Sequence, residues 1–261
     1  MDAPLFDQRL RRLRRDRAFR LGGDAFLHQR AFEDVVERLE LVRQRFGSAL
    51  LVGCFDPQWP ERLLSFADRV DVIDPGALFA GTASGKCSDE AAMDLTPASY
   101  DLCVAIGTLD TANDLQRALL LIRFALRESS LFVGALTGGD SLPQLRSAMR
   151  AADEVMGAAS PHVHPRIDPP GLAGLLTECG FRDAVVDIDR VQVSYRSLFD
   201  LVRDLRAMGA TNVLAQRSRR PLSRGAVSAA ADRFLQDAKD GRVTERFELL
   251  HFAAWTPASD G

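Results

Sequence analysis

Short, nearly uninterrupted apolar runs, each separated from the next by a turn and an amphipathic segment, constrain this chain more than any other feature. Ala49–Gly53 and Leu131–Leu136 are such runs, Tyr100–Gly107 carries a single aspartate, and Val70-Asp71-Val72-Ile73-Asp74, with two, reads as a further strand stopped by Pro75-Gly76. Four to eight apolar residues without alternation suit a strand buried on both faces, as in a parallel sheet covered by helices. Between them, Phe26, Leu27, Phe32, Val35, Val36, Leu39 and Val42 recur at three- and four-residue steps, predicting a helix from about Asp24 to Phe46 that Gly47 closes. Trp59–Phe66 and Leu115–Leu126 read as further helices, and the polar stretch from Gly81 to Asp94 is expected to hold a short third strand. Strands alternating with helices imply βαβ units.

In the second half, Leu142–Met156, Leu172–Cys179, Leu198–Met208 and Ala226–Ala238 read as helices, and Ala184–Val193 and Phe247–Trp255 as strands. The expected fold is α/β: a doubly wound, seven-stranded, mostly parallel sheet whose last strand is antiparallel. A helical cover over about 142–215 would lie above the carboxyl ends of the strands, where such sheets bind ligands. Residues 1–23 read as a basic N-terminal arm and 24–261 as one domain.

The arm carries Arg9-Leu10-Arg11-Arg12-Leu13-Arg14-Arg15-Asp16-Arg17, with Phe6, Leu10, Leu13 and Phe19 near helical spacing. It reads as a basic amphipathic helix, either folded against the domain or docking an acidic protein partner or an anionic membrane. The whole chain has a net charge of -3 and no basic face with interleaved aromatics, which excludes bulk attraction to nucleic acid. No apolar run approaches the roughly 20 residues of a membrane span, and no secretory signal opens the chain, so the expected place is the cytoplasm. Four scattered cysteines have no CxxC spacing, which disfavours a zinc cage or disulfide framework.

A family resemblance runs through most of the chain. It is carried by Phe6-Asp7 with the arginine-rich start, Ser99-Tyr100-Asp101-Leu102, and Asn113-Asp114-Leu115 with Arg117-Ala118-Leu119. It continues in Gly138-Gly139-Asp140-Ser141-Leu142 with Leu145-Arg146, Ser160-Pro161-His162, Gln192-Val193 with Tyr195, and Leu205–Asn212. In these segments the chain resembles the class I S-adenosylmethionine-dependent methyltransferase-like family. It is most similar to the group of the mitochondrial complex I assembly factor credited with hydroxylating an arginine, and more distantly to the malonyl-carrier-protein methyltransferase of biotin synthesis. The resemblance implies a Rossmann-like fold and S-adenosylmethionine as cofactor. Three functions follow as expectations: methyl transfer to an acceptor, an assembly or binding factor that has lost cofactor use, and amino-acid hydroxylation.

The family's cofactor loop is altered here. Aligned on Gly53-Cys54, Leu51 stands in place of an acidic residue, and Phe55 and Pro57 replace the second and third glycines. A ring at 55 would fill ligand space, and proline fixes φ and removes a donor, so cofactor binding is expected to be weak or absent. Gly53 remains. Asp74, about 20 residues on, stands where relatives place an acid for the ribose hydroxyls, or is a turn residue before Pro75. Asp89 and Glu90 fall in the region that borders the adenine ring. Asp110, followed by Thr111, stands where many relatives carry a histidine and a tryptophan, at the cofactor mouth. On the acceptor side the candidates are Asp140, Arg146, His162 and Tyr195. Asp140 is also a natural N-cap, and Arg146 either clamps a carboxylate or lies on the helix surface. The spacing of His162, His164 and Asp168 could suggest a metal, but an irregular proline-rich loop favours a loop histidine or substrate contact. No catalytic residue is assigned.

Overall fold

A computed structural model describes residues 3–258. The apolar runs form β1 (Ala49–Val52), β2 (Val70–Asp74), β4 (Tyr100–Ile106) and β5 (Leu126–Gly138), with a two-residue β3 (Lys86–Cys87) in the polar stretch. With β6 (Arg182–Tyr195) and β7 (Val243–Trp255) they make a seven-stranded sheet of order β3-β2-β1-β4-β5-β7-β6. β1 is parallel to β2 and β4, with Leu51 beside Val72 and Val104, and β5 is parallel to β4. All four β1 residues are buried, as a strand covered on both faces requires.

β7 runs the other way. Ser130 N–H donates to Thr256 Oγ1 at one end of β5, while a Cβ on Gly134 would meet Phe252 and one on Gly138 would meet Leu250. Numbers fall along β7 as they rise along β5. Arg190 likewise pairs with Glu248, and Ser194 with Thr244, so β6 is antiparallel to β7.

Two strands are longer than their apolar runs. β5 starts at Leu126 rather than Leu131, because Leu126 pairs with Tyr100 before the strand bulges and Leu131 resumes beside Leu102. β7 starts at Val243 rather than Phe247. α3 (Trp59–Leu63) is shorter than expected, and α4 (Ala77–Thr82), which the sequence reading did not include, follows Pro75-Gly76.

The described chain divides into two compact units. One comprises Ala25–Gly139, Ile167–Asp189 and the described part of Leu249–Gly261. Its helix α2 (Phe26–Val42) buries Leu27, Ala31, Phe32, Val35 and Leu39, the three- and four-residue stripe. α5 (Leu115–Ala125) and α7 (Pro169–Glu178) bury Leu119, Ile122, Leu172 and Leu176 in a core with Phe132 and Phe252.

The other unit comprises the described part of Met1–Asp24, Asp140–Arg166 and Arg190–Glu248. It holds α1 (Gln8–Leu21), α6 (Pro143–Met156), α8 (Leu198–Ala207) and α9 (Arg224–Leu235); α1 packs on α8, and α9 on α6 and α8. Of the expected cover, α6 and α8 thus belong here and α7 does not. The basic arm is a capped helix: Asp7 accepts from Leu10 N–H at 2.9 Å, and Gly22 ends it with φ 57°. Phe6 beside it packs with Val213 and Leu214.

Asp140 does not cap α6. Leu142 holds the N-cap position without a side-chain bond, and the carboxylate of fully buried Glu245 accepts from Gln144 N–H (3.2 Å) and Leu145 N–H (2.9 Å). Asp140 is instead bound by Arg246, so its carboxylate is not offered to the helix. Among the described residues, no helix is long and apolar enough to cross a membrane.

Candidate functional site

The cofactor-side candidates all lie on turns of the first-described unit, at the carboxyl ends of its strands. Gly53 follows β1 with φ 83°, and a Cβ there would strike Ile106 O and Thr108 Cγ2. The one surviving loop glycine is thus required by the exit of β4, whatever else it does. Asp74 ends β2 completely buried; its Oδ2 accepts from Cys54 N–H (2.8 Å) and its Oδ1 from Gly76 N–H (2.7 Å). Of the two readings left open for Asp74, the turn before Pro75 is visible, and the same carboxylate ties that turn to the loop after β1. Asp89 accepts from Ala91 N–H at 3.0 Å at the head of a single 3-10 turn, in which Glu90 is buried. Asp110 lies half-buried in another such turn after β4.

Phe55 turns inward and is only 9% exposed. Its ring lies against His28, centroids 3.7 Å apart at 31°, and meets Phe79 of α4 at 4.9 Å. A Cβ on Gly107 would run into the same His28 ring. Three rings from three segments therefore converge beside the loop. Pro57 is exposed in the turn leading to α3. The sequence reading found Phe55 but not His28 or Phe79, whose spacing is that of ordinary helix-face residues.

The acceptor-side candidates lie in the other unit, where three of the four share one cleft. Asp140, Arg146 and His162 line a cavity of about 420 Å³ together with Pro143, Arg150 and Asp153. His162 Nε2 is 2.8 Å from Asp153 Oδ1, and Asp153 Oδ2 accepts from Ser160 N–H at 3.2 Å. A carboxylate on one ring nitrogen fixes both the ring's plane and its tautomer. The sequence reading missed both Arg150, one turn beyond Arg146, which helical spacing could have pointed to, and Asp153, on another element from His162, which nothing in the sequence marked.

Tyr195 does not line that cleft. Its hydroxyl is buried, and burial first, then the carboxylates of Asp204 and Glu245, push its pKa up. The histidine spacing does not converge on one point either. His162 is held by Asp153, His164 Nε2 accepts from Val213 N–H at 3.0 Å, and Asp168 caps α7 by accepting from Gly171 N–H. Burial, with Arg166, Arg11 and Arg146 nearby, depresses the His164 pKa to about 3. Among the described residues no group of three or more His, Cys, Asp or Glu is placed to hold a metal ion.

Comparisons with known proteins give a consistent result. No family model matches the chain. It is 31% identical over 258 residues to a malonyl-[acyl-carrier protein] O-methyltransferase of Laribacter hongkongensis, covering 90% of this chain and 84% of that one. It is 29% identical over 267 residues to the arginine-hydroxylase NDUFAF5, mitochondrial, of Danio rerio, covering 97% and 83% respectively. Among solved structures, a candidate methyltransferase from Bacillus halodurans superposes with a TM-score of 0.56 at 12% identity, covering 85% of this chain and 99% of that one. At that identity the last likeness speaks to the fold alone.

Proposed function

This chain belongs to the class I S-adenosylmethionine-dependent methyltransferase-like family, and we propose that it works as a binding or assembly factor built on that fold, not as an ordinary methyltransferase. The observation that carries this reading is the ring of Phe55, packed on His28 and Phe79 beside the cofactor loop. A ligand entering there meets the Phe55 ring, held in place by His28 and Phe79, and each oxygen of the Asp74 carboxylate already accepts from a backbone N–H, which leaves it fewer acceptor positions for ribose hydroxyls. Leu51 is completely buried and offers no carboxylate.

A second reading, methyl transfer, is favoured by Asp74 at the end of β2 and by the cleft of Asp140, Arg146 and His162 as an acceptor site. In it Gly53, Asp74, Asp89 and Glu90 would hold S-adenosylmethionine, with Asp110 at its mouth and Tyr195 on the acceptor side. Such transfer is mostly positioning, the acceptor being brought in line with the sulfonium methyl group. Titration of the unmodified protein with S-adenosylmethionine and S-adenosylhomocysteine in a calorimeter separates the two. The binding-factor reading expects a Kd no tighter than about 1 mM, or about -4 kcal/mol. A micromolar Kd would overturn it.

In the favoured reading the chain works in the cytoplasm and α1 docks an acidic protein partner. Arg9, Arg12, Arg17 and Arg20 are exposed along one side of α1, whereas Arg11 and Arg15 are buried. Replacing the four exposed arginines by glutamate is expected to weaken binding of an acidic probe, polyglutamate, at least tenfold. The melting temperature should change by no more than about 8 °C, since four surface substitutions at up to about 0.5 kcal/mol each sum to at most about 2 kcal/mol. Unchanged polyglutamate binding, or a large fall in melting temperature, would remove the docking role.

A further inference from the structure

We propose that the α6 cleft binds an oxyanion, the carboxylate or phosphate end of a small amphipathic molecule, between the guanidinium groups of Arg146 and Arg150. The two arginines stand at positions i and i+4 of α6, on one helix face, and line the same cavity of about 420 Å³. Their charge is not spent elsewhere. Arg146 makes a single long contact, 3.5 Å to the His164 carbonyl, and Arg150 makes no hydrogen bond or ion pair among the described residues.

Nor do the two carboxylates of the cleft neutralise them. Asp140 is bound by Arg246, and Asp153 holds His162. Guanidinium groups present donor forks whose geometry fits carboxylate and phosphate oxygens. If His162 donates Nε2–H to Asp153, Nδ1 keeps its lone pair and accepts from a ligand hydroxyl or amide. Pro143, Met149, Pro161 and Val163 supply apolar wall for the rest of the ligand.

The opposite wall is held in place by the chain around 212–218. Asn212 Nδ2 donates to Pro161 O (2.8 Å), Val213 N–H to His164 Nε2 (3.0 Å) and Ser218 N–H to Ser160 Oγ (2.9 Å). A preformed wall lowers the ordering cost of binding. The inference goes beyond the proposed function, because it requires no S-adenosylmethionine and holds for either reading.

The test is calorimetric titration of the full chain at low salt with inorganic phosphate and, separately, with glutarate. At least one is expected to bind saturably, and which one binds identifies the oxyanion. Arg146→Gln with Arg150→Gln should weaken that binding tenfold or more. Met149→Trp, which fills the cleft and leaves both charges, should do the same. Arg224→Gln, an exposed arginine on α9, should change nothing. Circular dichroism shows whether each variant is folded. Binding of neither probe, or equal binding by the double arginine variant, overturns the proposal, and so does binding that survives Met149→Trp.

Discussion

Phe55→Gly with Pro57→Gly is expected to tighten S-adenosylmethionine binding about a hundredfold over the unmodified chain, a difference of about 2.7 kcal/mol. The gain is steric. At 55 the substitution removes a ring that lies 3.7 Å from the His28 ring, and at 57 it returns a backbone donor and a free φ to the turn. It also has a cost, since deleting a buried phenylalanine ring destabilises a core by about 3–5 kcal/mol. Binding is therefore measured well below the melting temperature of the variant. His28→Ala added to the pair should tighten binding further, because that ring otherwise moves into the space Phe55 leaves. Leu51→Asp, which restores the acidic residue of the family pattern, is expected to add to the gain if the variant folds, at a cost in stability because position 51 lies fully buried beside Val72 and Val104. A folded glycine variant that binds no better than the parent would show that the rings are not what keeps the cofactor out.

Acid should destabilise this protein through His164 well before its carboxylates titrate. The neutral ring is required, because its Nε2 lone pair accepts from Val213 N–H while Arg166, Arg11 and Arg146 stand nearby. Burial is the larger cause of its low pKa, about 3 against an ordinary 6.5. A histidine whose folded pKa is depressed contributes stability that is fully present above pH 6.5 and lost as the pH falls toward 3. The full depression corresponds to about 5 kcal/mol, of which about 2–3 kcal/mol is lost by pH 4.5. His164→Gln, whose amide oxygen can accept from Val213 N–H, should remove that part of the slope. The check is the difference in urea midpoints between parent and variant at pH 7.5 and pH 4.5. Parallel behaviour of the two proteins would show that the ring is not what responds to acid. His251, its pKa also lowered by burial, acts with the same sign in both proteins and cancels in the difference.

The sheet was legible in the sequence because its central strands are buried on both faces and so carry nearly unbroken apolar runs. Where polar side chains serve the fold, the signal failed. Glu245 looks like a solvent residue and is completely buried under the start of α6, so β7 was read from Phe247 and the cap was assigned to Asp140. The polar residues 127–130 hid the bulged start of β5 for the same reason. At the site, Phe55 was found because it breaks a glycine pattern. His28 and Phe79 break none, and only three-dimensional packing joins them to it. Likewise helical spacing from Arg146 could have pointed to Arg150, while the bond from Asp153 to His162 spans a helix end and a loop.

The placement of β7 between β5 and β6 has a consequence for how the protein is made. A ribosome that has delivered everything through β6 has delivered six strands, yet β6 still lacks the neighbour that joins it to the sheet. The helices show a similar delay: α1 rests on α8, about 180 residues later, so at ordinary elongation rates it waits roughly 10–35 s for its partner. During that interval Phe6 and Leu10 have no Val213 or Leu214 to pack against. The nascent chain thus carries an arginine-rich helix whose buried face, Arg11, Arg15 and Ala18, stays in water until α8 is made.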